Sequence, residues 1–146
     1  MSLLSQLFLP LTISTAMVLL TVATHGLGLV LLARAVAGEQ HEERLHHVAP
    51  ISLRGAAFTL LTVVSLFVLH GIEIWSYAAL YIAIDAFQHF EEALYFSTVS
   101  YAAIGYGDTH LPAAWRLLGA IEGVNGVILL GWSTAFFVNL LMRLRR

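Results

Sequence analysis

Three long stretches almost without formal charge dominate this chain and leave it few folds to choose from. Residues 7–33 contain no Asp, Glu, Lys or Arg, and at ~1.5 Å per helical residue they outreach a hydrocarbon layer of ~30 Å. A second stretch, 55–84, is broken only by His70 and Glu73, and a third, 117–142, only by Glu122. With 59% hydrophobic and 11% charged residues, a water-soluble domain is excluded. Seven basic against nine acidic residues leave a net charge of -2, which offers no basic face to a nucleic acid. Cysteine is absent, and with it disulfide frameworks, thiolate metal sites and cysteine nucleophiles.

The expected fold class is therefore an all-α membrane protein with three transmembrane helices. The first stretch reads as a retained helix, since no basic region precedes it and it is longer than the core of a signal peptide. Six of the seven arginines lie in two places: Arg34, Arg44 and Arg54 around the first connection, and Arg143, Arg145 and Arg146 at the C-terminus. Both groups are expected in the cytoplasm by the positive-inside rule. Three spans then put the N-terminus outside, together with segment 85–116. The expected organisation is an N-terminal transmembrane helix over 1–37, a cytoplasmic polar linker over 38–54 and a third unit over 55–146. The linker holds Glu39, Glu42, Glu43, His41, His46 and His47 and ends near Pro50. It reads as a solvated connection, with a histidine pH sensor as the functional alternative.

Segment 85–116 is aromatic and irregular. Glu91 and Glu92 precede an apolar, hydroxyl-bearing run, so 91–102 reads as a short helix with acidic residues in its first turn. At once there follows Ala103-Ile104-Gly105-Tyr106-Gly107-Asp108. Glycines alternating with larger residues permit backbone conformations that turn successive carbonyls to one side.

These residues resemble the pore domain of tetrameric potassium channels. Gly105-Tyr106-Gly107-Asp108 is similar to that family's selectivity filter, Trp115-Arg116 to the start of its inner helix, and Gly126, nineteen residues after Gly107, lies near its hinge glycine. The resemblance implies an outer helix over 55–84, a re-entrant pore helix over 91–102, a filter over 103–108 and an inner helix over 116–142. It also implies a homotetramer in the plasma membrane conducting potassium ions through rings of carbonyls, with no cofactor beyond the permeant ion and no soluble partner. The filter residues would be Ala103, Ile104, Gly105, Tyr106, Gly107 and Asp108, with potassium at their carbonyls and no other metal. Two departures stand out. Ala103 occupies the place of the usual threonine, which removes four hydroxyls from the innermost ion site of a tetramer. Val99 occupies a position where some relatives carry a glutamate, so Asp108 needs other partners, such as Trp115 or Tyr101.

Gly126 and Gly131 are candidate gating hinges, with close helix packing as the alternative role. Below them, Thr134, Val138 and Met142 share a helical face and are candidates to line a hydrophobic constriction, with Phe136 and Phe137 on neighbouring faces as competitors. No arginine-rich helix suited to voltage sensing is present. Glu122 and Asn125, three residues apart, together with Trp115, are candidates to support the filter from behind, with an ion-facing role as the alternative for Glu122 and Asn125. Trp75, Tyr77, Tyr81, Tyr95 and Trp115 fit an outer aromatic belt or packing around the filter.

His25, His70 and Glu73 are costly in hydrocarbon and must face protein or water. Counted from the cytoplasmic ends of their helices, His25 and His70 lie at comparable depth, which allows a polar cluster. A hydrogen-bonded tie, a proton-sensitive site and a metal or haem site are the three readings of it. Beside potassium conduction, the alternatives are a weakly selective cation channel, a haem-binding electron carrier using His25 and His70 as axial ligands, and a non-conducting regulatory subunit.

Overall fold

In hydrocarbon a single apolar segment satisfies its own backbone N–H and C=O groups only as a helix. The computed structural model follows that rule. It describes residues 3–46, 53–105 and 111–144, in which the regular elements are helical: α1 (Leu3–His46), α2 (Leu53–Ala83), α3 (Phe90–Tyr101), a 3-10 turn (Ala113–Trp115) and α4 (Arg116–Leu144). Helices α1, α2 and α4 contain apolar spans of membrane length, Leu7–Ala35, Gly55–Ala83 and Ala113–Met142, as a multi-pass membrane protein requires. The α1 helix runs past Gly38 to His46, so the described part of the expected linker is helical.

Hydroxyl groups on these spans mostly bond within their own helix. Thr15 donates to the Leu11 carbonyl, Thr24 to Leu20, Ser65 to Leu61, Ser76 to Ile72 and Thr134 to Leu130, each four residues back and at 2.7–2.9 Å. Such bonds hide a polar group without help from another element. Ser97 and Ser133 instead reach other helices, and both lead to the buried polar sites described below.

The α1 helix packs against α2 and α4. Its buried stripe is Ser14, Met17, Thr21, His25 and Leu29, spaced by three or four residues so that all lie on one side. The opposite sides carry exposed Leu and Val. The inward face is thus more polar than the outward one, the reverse of a soluble amphipathic helix. Gly28 lets α2 come close, since a Cβ there would lie 2.6 Å from a Leu69 methyl.

The chain turns sharply after α2. Asp85 adopts φ 54°, with its N–H bonded to the Ile82 carbonyl and the next N–H to Tyr81, the paired bonds of a Schellman ending. Helix α3 then runs back between α2 and α4. Its C-terminal Tyr101 meets His70 and Gly126, which lie near the midpoints of the α2 and α4 spans. A short helix therefore enters the apolar layer and stops about halfway. Two apolar clusters sandwich this level. One joins Tyr77, Tyr81, Phe87, Ala93 and Leu118, the other Leu29, Leu66 and Leu69 with Phe136 and Phe137 against them.

Candidate functional site

The end of α3 is closed by the residues that follow it. Ala103 takes φ 54°, its N–H bonds to the Ser100 carbonyl at 2.9 Å, and the N–H groups of Ile104 and Gly105 both bond to the Val99 carbonyl at 2.9 and 3.2 Å. This is a second Schellman-type ending, with alanine at the left-handed position that favours glycine. Gly105 also has positive φ, at 63°. The amides of this segment are thus turned back onto α3, and no described residue donates to the carbonyls of Ala103, Ile104 or Gly105. Tyr106, Gly107 and Asp108 lie outside the described residues. The α3 dipole places its negative end at the same mid-bilayer point, which favours a cation there.

Glycines of α4 let α3 sit this deep. A Cβ on Gly119 would come within 3.0 Å of the Phe96 ring, one on Gly123 within 3.1 Å of the Ser100 carbonyl, and one on Gly126 would overlap the Tyr101 carbonyl oxygen. Gly126 is therefore in backbone contact with the last residue of α3, the close-packing role that a glycine permits. Gly131 has open space around its α-carbon. Thr134, Val138 and Met142 continue down an exposed face of α4, whereas Phe136 and Phe137 pack toward Leu29, Leu66 and Leu69.

Behind α3 stands a buried carboxyl. Glu122 accepts from Ser97 of α3 at 2.5 Å and from the Tyr81 hydroxyl of α2 at 2.6 Å, and the Ser97 hydroxyl also lies 2.9 Å from the Ile74 carbonyl. One turn on, Asn125 donates to Thr21 of α1 at 2.8 Å and approaches the Tyr77 hydroxyl at 3.3 Å. These contacts join all four helices beside the C-terminal half of α3. Trp115 closes the 3-10 turn through its N–H to the Pro112 carbonyl and is half-buried against the same apolar cluster. Tyr77 and Tyr81 are fully buried partners in this network, whereas Trp75 and Tyr95 are exposed, as in an aromatic belt.

The second buried carboxyl is Glu73. Its Oε1 lies 2.9 Å from His25 Nδ1, and its Oε2 lies 3.3 Å from His70 Nδ1 and accepts from the Tyr101 hydroxyl. His70 Nδ1 also meets that hydroxyl at 2.9 Å, while the Nε2 atoms of His70 and His25 converge on Ser133 Oγ at 2.9 and 3.3 Å. The Trp132 ring lies beside His25, 5.3 Å between centroids and tilted by 44°. The cluster takes one or more groups from each of the four helices, and Tyr101, next to the 103–105 turn, is its member from α3. Tyr101 thus directs its hydroxyl at Glu73 and His70, and Asp108, for which it was a candidate partner, lies outside the described residues. Ligand atoms of His25, His70 and Glu73 lie within 4.8 Å of one another, near enough to hold a cation. Each is already paired within the cluster, and the imidazole rings stand 5.2 Å apart with their nitrogens turned to Glu73, Tyr101 and Ser133. An unpaired ionised carboxylate at this depth costs about 3 kcal/mol or more, so complete pairing decides whether α2 can carry Glu73.

Sequence reasoning brought His25, His70 and Glu73 together but missed Tyr101, Ser133, Ser97, Tyr81 and Thr21. One signal was present: Ala93, Ser97 and Tyr101 repeat every four residues and mark the side of α3 that is buried.

A family model described as ion channel matches residues 59–143, which takes in most of α2, all of α3 and nearly all of α4 and leaves α1 outside. Neither a curated protein nor a solved structure matches the chain. Two spanning helices around a short helix that stops in mid-bilayer agree with that match over more than half of the residues, and the chain belongs to this ion channel family.

Proposed function

We propose that the chain conducts potassium ions passively as a homotetramer, with the carbonyls of Ala103, Ile104, Gly105, Tyr106, Gly107 and Asp108 from four copies ringing a common axis. The observation that carries this reading is the end of α3: a helix halted in mid-bilayer, followed by a turn whose amides are occupied and whose carbonyls take no described donor. A bare cation entering hydrocarbon needs such oxygens in place of its water, and irregular backbone is tolerated at that depth only where it lines a polar axis. One chain supplies one strand of oxygens, so several must meet. Glu122, Asn125 and Trp115 hold α3 from behind, Gly131 offers the freer bend, with Gly126 coupled to Tyr101, and Thr134, Val138 and Met142 line the narrow end. The membrane is the plasma membrane, with the N-terminus outside and the C-terminus in the cytoplasm.

A weakly selective cation pore is the second reading, favoured by Ala103, whose methyl group cannot ligate an ion. The reversal potential of the purified protein in planar bilayers under a potassium-against-sodium gradient separates the two. The expected value is close to the potassium equilibrium potential. A value near zero selects the weakly selective pore, and absence of current from a correctly assembled protein leaves a closed channel or a non-conducting subunit.

A further inference from the structure

The hydrogen bonds around Glu73 can be counted against the protons available to make them. Five hydrogen bonds link the group, beside the 3.3 Å approach of His70 Nδ1 to Glu73 Oε2: His25 Nδ1 to Glu73, Tyr101 to Glu73, His70 Nδ1 to Tyr101, and each Nε2 to Ser133. A neutral imidazole carries one N–H, and a phenol and an alcohol one O–H each. Two neutral histidines, Tyr101 and Ser133 therefore bring four protons to five bonds. With Glu73 ionised and both Nδ1 atoms protonated, Ser133 faces two lone pairs with a single hydrogen. Moving either N–H to Nε2 only transfers the shortage to the carboxylate side.

We infer that this cluster is a proton-binding site that holds a fifth proton, shared among His25, His70 and Glu73. With it every contact has one donor and one acceptor: a protonated Nε2 donates to Ser133, Ser133 donates to the other Nε2, and both Nδ1 groups donate toward Glu73 and Tyr101. The same count is met with the proton on Glu73 Oε1, donated to His25 Nδ1, while His25 presents N–H to Ser133. These arrangements interconvert by proton shifts along existing hydrogen bonds, with no bond between heavy atoms changed.

Charge points the same way. The titratable groups facing the cluster are His25 from α1, His70, Glu73 and Tyr77 from α2, and Tyr101 from α3. On α4 the nearest is Glu122, three turns from Ser133 and itself acidic. No described Arg side chain lies among them, so among the described residues the counter-charge available to a buried Glu73 is a proton on one of the two histidines. The Trp132 ring, 5.3 Å from the His25 ring and tilted 44° to it, lies within the distance at which an aromatic ring attracts an imidazolium. The weakest link is His25 Nε2 to Ser133 at 3.3 Å, which joins α1 to α4. Losing the fifth proton releases this contact first and loosens the helix that lies outside the family match.

The test is nitrogen-15 histidine NMR of the full chain in liposomes at about pH 8, where a solvated imidazole with pKa ~6.5 is neutral, joined with infrared detection of protonated carboxyl groups. The expected result is an imidazolium signal or a protonated carboxyl band that disappears in Glu73→Gln, because a carboxamide supplies N–H donors of its own and ends the shortage. Ser133→Ala serves as a second variant with the carboxyl retained: it removes the acceptor between the rings, and the two Nε2 signals are expected to become distinct. Neutral imidazoles at both positions with an ionised Glu73 overturn the inference and leave a bifurcated serine proton in its place. A signal unchanged in Glu73→Gln overturns it too. Neither readout depends on ion conduction.

Discussion

Glu73 and Glu122 are both carboxyls buried inside a membrane-spanning helix, yet they are held in different ways. Glu122 is gripped by two hydroxyls, from Ser97 and Tyr81, with no imidazole in its shell. Glu73 is held by two imidazoles and a phenol, and a serine closes the ring between those imidazoles. Hydroxyl donors fix a carboxyl in place but offer a proton no other home at neutral pH, whereas imidazoles offer two. The first arrangement is a prop behind α3, and the second is a joint whose protonation can change.

The largest effect is expected where both arrangements share a foundation. Gly126→Val places a side chain on the Tyr101 carbonyl and lifts α3 away from α4, which exceeds the ~1–3 kcal/mol usual for overpacking. The expected outcome is loss of the folded species on a sizing column, and a normal elution profile would show that α3 does not need this contact. Next comes His25→Ala, which strips Glu73 of one partner and should lower stability by about 3 kcal/mol, read as a fall in thermal midpoint in detergent. A smaller loss, about 1–2 kcal/mol, is expected for the matched pair Tyr81→Phe and Tyr101→Phe. Tyr101→Phe should be the more damaging of the two, because that hydroxyl serves both Glu73 and His70. Equal losses would erase the distinction between prop and joint. The smallest effect has the opposite sign: Gly131→Ala, in open surroundings, should raise helix stability by about 0.5–1 kcal/mol while lowering open probability in single-channel recordings.

The spanning helices were legible because length and hydropathy alone decide them. The depth of His25 and His70 was legible for a related reason: helical rise is fixed, so counting residues from a membrane face gives height. The partners were harder. A hydroxyl such as that of Thr24 or Ser76 bonds to its own helix, and nothing in the local sequence separates it from Ser97 or Ser133, which bond outward. The rotation of α1 was equally hidden, since its inward stripe through Ser14, Thr21 and His25 is the polar side, and a hydrophobic-face rule turns such a helix the wrong way. Tyr77 and Tyr81 illustrate a third limit. Near a span's end they suit a belt by composition, and only the positions of Asn125 and Glu122 bring them inside.

The polar stripe of α1 also dictates an order of events during biogenesis. This helix is made before α2 and α4, and its span, Leu7–Ala35, is long and apolar enough to enter the bilayer ahead of them. The partners of His25 come much later in the chain, Glu73 by 48 residues and Ser133 by 108. At ~5–20 residues per second, the interval to Ser133 is on the order of 5–20 s. For that time α1 waits in the membrane with its imidazole at best half matched, and the last contact of the joint closes only when α4 arrives. The helix that precedes the others in the chain is thereby among the last to be locked in place.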